Sequence, residues 1–167
     1  MRKITIIFQH DSMQCGIACL QMVCKYFGRE YSLDSLSKLC FATTEGVSML
    51  GINEAANTLG LHTISARVTT TMLGKAPLPS ILHWDQNHFV VLYKVKKGKK
   101  FYVADPGKGL VTYGLDEFKQ HWIARNLMAR TRALPCSWKP LLLSLPIRWR
   151  TKNTSKRRGL SAFSLDM

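Results

Sequence analysis

The order of its hydrophobic periods predicts an α+β fold, with N-terminal helices packed on an antiparallel sheet. Three observations carry this. Up to Gly60, apolar side chains recur at three- and four-residue steps. After Gly60 the apolar runs shorten and fill with β-branched and aromatic residues. Two of those runs flank KKGKK, a polar loop with a central glycine, as the arms of a hairpin do.

The first helix is predicted from Cys15 to Phe27, because Ile17, Leu20, Val23, Cys24 and Phe27 share one face and Gly28 offers a left-handed stop. Ser32 can cap a second, short helix with Leu33, Leu36 and Leu39 inward. Ser48 can cap a third, which runs to Leu59 and closes on Gly60. HTISAR, SILHW and HFVVLYKV then read as strands, FYVADP returns as the hairpin partner of HFVVLYKV, and GLVTYG makes one more strand. A final short helix, DEFKQHWI, can be capped by Asp116.

The chain of 167 residues has 46% hydrophobic content, enough for one domain with a real core. Its formal charge of +14 is uneven: residues 1–123 carry net +5 and residues 124–167 net +9. Strong basicity raises nucleic acid or an anionic membrane surface as partners. The first 123 residues hold no RNA-reading motif, so nucleic acid is not expected. GxxxxGK[ST] is absent, which excludes a P-loop nucleotide hydrolase. ITIIF is too short for a signal-peptide core, and PLLLSLPI, broken by Pro146, is too short for a transmembrane segment. Five cysteines without a CxxC pair fit neither a disulfide framework nor a zinc knuckle, and no histidines have helical ligand spacing. No metal or cofactor is expected, and a reducing cytoplasm is the simplest compartment.

Chemistry concentrates in four residues. Cys15 opens the first helix, where unpaired backbone N–H groups and the positive end of the dipole favour an anion. His88 opens HFVVLYKV and Asp105 closes FYVADP, so antiparallel pairing brings both to one edge of the sheet. A Cys-His-Asp triad follows, with the carboxylate orienting the base. Thiolate attack on an amide creates an oxyanion that needs donors. The Gln9 side-chain amide and the backbone N–H of Cys15 are placed to supply them.

Gln9, QCGIACLQM from Gln14, HWDQNHFVVL with His88 and ADPGKG with Asp105 resemble the papain-like cysteine peptidase domain of bacteriocin-processing ABC exporters, the double-glycine leader peptidases. The resemblance runs from about Ile4 to Ile123. It implies a papain-like fold, with Cys15 as nucleophile, His88 as general base and acid, Asp105 as orienting residue and Gln9 as oxyanion donor. It also implies as partners a precursor peptide with a double-glycine leader and a membrane ABC exporter, which places the work in the cytoplasm at the inner face of the membrane. Since some members lack the cysteine and bind leaders without cutting, a leader-binding adaptor is the rival reading. The cleft would be narrow; His83 and Trp84 are candidates for its wall.

Two domains are read: a peptidase domain over 1–123 and, over 124–167, a basic tail with neither helical nor strand period, taken as disordered or non-native. Cys19, Cys24 and Cys40 are expected to pack as small apolar residues. His10, His62, His83 and His121 are expected at the surface or in packing, and Asp11 in the turn before the first helix.

Overall fold

The computed structural model describes residues 3–44, 46–85, 87–123 and 139–144. Three helices come first, α1 (Cys15–Tyr26), α2 (Leu33–Leu39) and α3 (Met49–Thr58). They are followed by β1 (Thr63–Val68), a single turn α4 (Thr70–Leu73), β2 (Ser80–Trp84), β3 (His88–Lys96), β4 (Lys100–Asp105), β5 (Gly109–Gly114), α5 (Leu115–Ile123) and β6 (Lys139–Ser144). The six strands pair antiparallel throughout, in the order β1-β6-β2-β3-β4-β5. This is the α+β layout that the sequence predicts.

Helix ends follow local chemistry. Ser32 Oγ accepts from the Ser35 N–H at 3.2 Å and Ser48 Oγ from the Gly51 N–H at 3.0 Å, as the sequence predicts. α5 begins one residue before Asp116, which therefore lies in the first turn and complements the dipole rather than capping it. α1 and α3 close on left-handed Gly28 and Gly60, through paired bonds such as Arg29 N–H to Cys24 O and Gly28 N–H to Lys25 O. α2 closes the same way on Phe41, at φ 51°, a residue 73% exposed. Phe41→Gly is expected to stabilise the protein by about 0.5–1 kcal/mol, the relief of left-handed strain net of glycine's extra chain entropy. The midpoint of urea unfolding measures it.

At β2, β3 and β4 the sheet is buried on both faces, and strand alternation sorts the side chains. Ile81, Phe89, Val91 and Ala104 pack under α1, α2 and α3, together with Ile17, Leu20, Met22, Val23, Leu36 and Ile52. Leu82, Trp84, Val90, Leu92, Phe101 and Val103 pack on the other face, under Phe118 and Trp122 of α5. The interleaved parity explains why HFVVLY reads as an unbroken apolar run: both of its faces are covered.

Of residues 124–167, read from the sequence as a basic tail, one stretch is described. KPLLLS, residues 139–144, forms β6 and lies between β1 and β2, pairing Ser65 with Leu142 on one side and Ile81 with Leu142 on the other. It is an interior strand of the sheet, hydrogen-bonded to a neighbour on each side. Pro140, which lacks an N–H, sits before the stretch that pairs with β2, where a proline costs least. The other residues of the tail lie outside the described ones.

Candidate active site

Cys15 is the first residue of α1 and 4% exposed. Asp11 sets the entry: its carboxylate accepts from the Met13 N–H at 2.8 Å and its carbonyl from the Gln14 N–H at 3.3 Å, which winds Ser12–Gln14 into a tight turn. This is the turn role expected of Asp11. Gln14, in the capping position, makes no side-chain bond to the helix, so no cap takes up the first-turn N–H groups beside the thiol. The helix end is thereby left able to stabilise an anion. Gly16 lets α1 press against its neighbours. A Cβ there would run into Val47 Cγ2 and stand 2.9 Å from Ile52 Cδ1 and 3.1 Å from Phe89 Cδ2.

His88 and Asp105 meet as predicted. Trp84 pairs with His88 at the end of the β2–β3 hairpin, and Asp105 pairs with Gly109 at the end of β4–β5. His88 opens β3 and Asp105 closes β4, so antiparallel pairing leaves the two residues at the same end of the paired strands. His88 Nε2 donates to Asp105 Oδ1 at 2.8 Å, and the same oxygen accepts from the Gly107 N–H at 2.8 Å. Asp105 is wholly buried and His88 partly so. Burial would lower the His88 pKa, but the hydrogen bonds to Asp105 and Cys15 and their charges carry it up to about 9. With Nε2 committed to Asp105, Nδ1 is the nitrogen left for Cys15. Burial would raise the Asp105 pKa, yet the bonds from His88 and Gly107 and the charges of His88 and Lys108 hold it below its ordinary value.

Gln9 comes to the same place on an N-terminal arm. Its backbone N–H donates to Pro106 O at 3.0 Å, tying the arm to the turn that carries Asp105. Its side-chain Nε2 lies 3.9 Å from where a Cβ on Gly107 would stand. Gly107, in the turn after Asp105, adds a donor to Asp105 that the sequence did not reveal.

Neighbouring groups fall outside this arrangement. Cys19, one turn along α1, is wholly buried, and burial together with the nearby Cys15 and Asp105 charges pushes its thiol well above the ordinary range. Burial likewise carries Cys24 to about 12 and Cys40 to about 11. These three pack as small apolar residues, as expected. Trp84 is 1% exposed and belongs to the core, so its side chain is not a cleft wall; a strand covered on both faces has no exposed side for it. His83 packs edge-on against Phe89.

A sign follows for pH. A raised His88 pKa means that folding favours the imidazolium; this stabilisation is complete below about 6.5 and is lost as pH rises through about 9. The lowered Asp105 pKa contributes above about 3.8 and is lost as pH falls through the lowered value. If the imidazolium serves as the acid in turnover, kcat/KM is expected to fall about tenfold per pH unit above about 9. An initial-rate profile from pH 6 to about 10.5 checks the position of this limb.

The model of the peptidase C39 family matches residues 3–133, reaching past Ile123. The chain is 33% identical over 121 residues to the colicin V secretion/processing ATP-binding protein of Escherichia coli, covering 72% of this chain and 17% of that one. It is 34% identical over 139 residues to the lactococcin-G-processing and transport ATP-binding protein of Lactococcus lactis subsp. lactis, covering 80% and 19%. The chain thus spans less than a fifth of the length of these two relatives. Among solved structures, a double glycine motif protease from an AMS/PCAT transporter, in complex with the leader peptide, superposes with a TM-score of 0.71 at 29% identity. That match covers 86% of this chain and 94% of the other.

Proposed function

Since the chain belongs to the peptidase C39 family, we propose that it is a cysteine endopeptidase that removes leader peptides after a double-glycine motif from bacteriocin-type precursors, coupled to export by an ABC transporter. Its fold is the papain-like α+β arrangement. The observation that carries the reading is the His88–Asp105 bond of 2.8 Å with a carboxylate wholly buried beneath it, turned toward a cysteine at a helix N-terminus. A structural ion pair gains little from burial on this scale. A base that must be held in one orientation beside a nucleophile needs it.

In this reading the His88 Nδ1 takes the Cys15 proton and the thiolate attacks the carbonyl carbon of the second glycine. The negative charge that develops on the carbonyl oxygen is met by Gln9 Nε2 and the backbone N–H of Cys15, at the positive end of α1. His88 then gives its proton to the leaving nitrogen, the C–N bond breaks, and the mature peptide departs with a new amine. Water, deprotonated by His88, attacks the thioester and releases the leader as a carboxylate, restoring Cys15. Asp105 stays ionised throughout and holds Nε2–H. The names of the relatives, which process and secrete bacteriocins, and the leader bound to the similar protease support the substrate class and the exporter as partner. Cleavage would then take place at the cytoplasmic face, before export. No described helix is long and apolar enough to cross a membrane.

The test is cleavage of a synthetic double-glycine leader peptide by the full chain, read by mass spectrometry. A cut directly after the glycine pair, lost when the second glycine is replaced by valine, is expected, because a side chain beside the scissile bond is excluded sterically. Folded protein that leaves the peptide intact would overturn the reading.

A further inference from the structure

A second histidine–aspartate pair lies beside the first and is used by no step above. His121, in the last turn of α5, donates from Nδ1 to Asp85 Oδ2 at 2.9 Å, and its carbonyl accepts from the Asp85 N–H at 3.3 Å. The His121 ring stacks on the buried Trp84 with centroids 5.3 Å apart and planes 15° apart, and tilts against Tyr113 at 5.4 Å. Asp85 is the first residue of the turn between Trp84 and His88, and it sits at φ 42°, a left-handed conformation that a side chain other than glycine adopts at a cost. One residue of α5 therefore grips Asp85 by backbone and side chain. Its ring is also seated on Trp84, the cross-strand partner of His88.

We propose that His121, acting through Asp85, is a positioning residue for His88: the clamp on the β2–β3 turn fixes where β3 begins and so where the His88 imidazole stands. The inference rests on the triad reading given above. Its physical content is geometric. His88 is the first residue of its strand, with its backbone anchored on one side only by the turn, while its ring must serve Asp105 and Cys15 at once. The backbone and side-chain bonds with His121 hold Asp85 in its left-handed conformation, which Asp tolerates at a modest cost. Releasing it lets the first residue of β3 shift, and a shift of about 1 Å in a catalytic group can cost up to about a hundredfold in rate.

The experiment compares Asp85→Ala, His121→Phe and Asp85→Asn with the wild type by steady-state cleavage and by NMR titration of the His88 ring. His121→Phe keeps an aromatic ring over Trp84 and loses the bond to Asp85. Asp85→Asn keeps an acceptor oxygen for Nδ1–H and loses only the charge. Asp85→Ala and His121→Phe are expected to lower kcat about tenfold or more with KM within about twofold, and to move the His88 midpoint down from about 9 toward 6.5 as the ring loosens from Asp105. Asp85→Asn is expected to keep both near the wild type. An unchanged kcat and His88 midpoint in Asp85→Ala and His121→Phe would overturn the clamp. So would a lower kcat with lower thermal stability and an unmoved midpoint, the mark of a structural role alone, or an Asp85→Asn variant as impaired as Asp85→Ala. Wild-type protein that is folded and leaves the leader peptide intact would remove the triad reading, and the clamp with it.

Discussion

Cys15→Ala is expected to abolish peptide cleavage, lowering kcat by about four orders of magnitude or more, the scale on which loss of a covalent nucleophile is measured in other triads. Among the described residues no other thiol takes over. Cys19 is only one turn away, but burial and the nearby charges keep it protonated, and Cys24 and Cys40 are carried to about 12 and about 11. The substitution removes one sulfur atom from a site 4% exposed, so leader-peptide affinity is expected to stay within about threefold of the wild type. His88→Ala should cost about as much as Cys15→Ala, and the double variant little more than either, because the two act as one unit. Cleavage assays run beside fluorescence anisotropy of a labelled leader check all three statements. An adaptor that binds without cutting predicts equal affinity and no turnover in the wild type as well as the variant, so the wild-type rate alone separates the rival readings.

The parts of the site that lie at element ends were legible in the sequence. Cys15 opens an amphipathic run after polar residues, and His88 and Asp105 open and close two strands joined by KKGKK, so element boundaries alone brought them together. Ser32, Ser48, Gly28 and Gly60 announced helix ends because capping is decided by the local residue. What stayed hidden depends on distant partners. Phe41 takes a conformation that its side chain disfavours, and the chain gives no warning of it. β6 carries a proline and no alternation, and only the gap between β1 and β2 reveals its place. Asp85 and His121, 36 residues apart, have no shared period or motif, so their pairing appears only once α5 is folded back onto the β2–β3 turn.

The position of Cys15 depends on a close contact of α1 with its neighbours, and Gly16→Ala is expected to expose it. The added methyl would overlap Val47 Cγ2 and crowd Ile52 Cδ1 at 2.9 Å and Phe89 Cδ2 at 3.1 Å. Val47 and Ile52 present side-chain ends that can yield, but Phe89 follows His88 directly in β3, so relief on that side moves the strand that carries His88. Overpacking of this kind costs about 1–3 kcal/mol. Because α1 must lift away from α3 or β3 to make room, Cys15 moves relative to His88 and kcat should fall by up to about a hundredfold, more than the stability loss alone explains in protein that remains folded. Pairing it with Val47→Ala removes the most severe overlap and leaves the two milder ones, so the double variant should recover part of both the unfolding midpoint and the rate. Urea titration and initial rates on the single and double variants decide the matter. A Gly16→Ala protein with wild-type midpoint and rate would show that the packing of α1 on β3 does not set the reach of the thiol, and the close fit of helix to strand would lose its place in the mechanism.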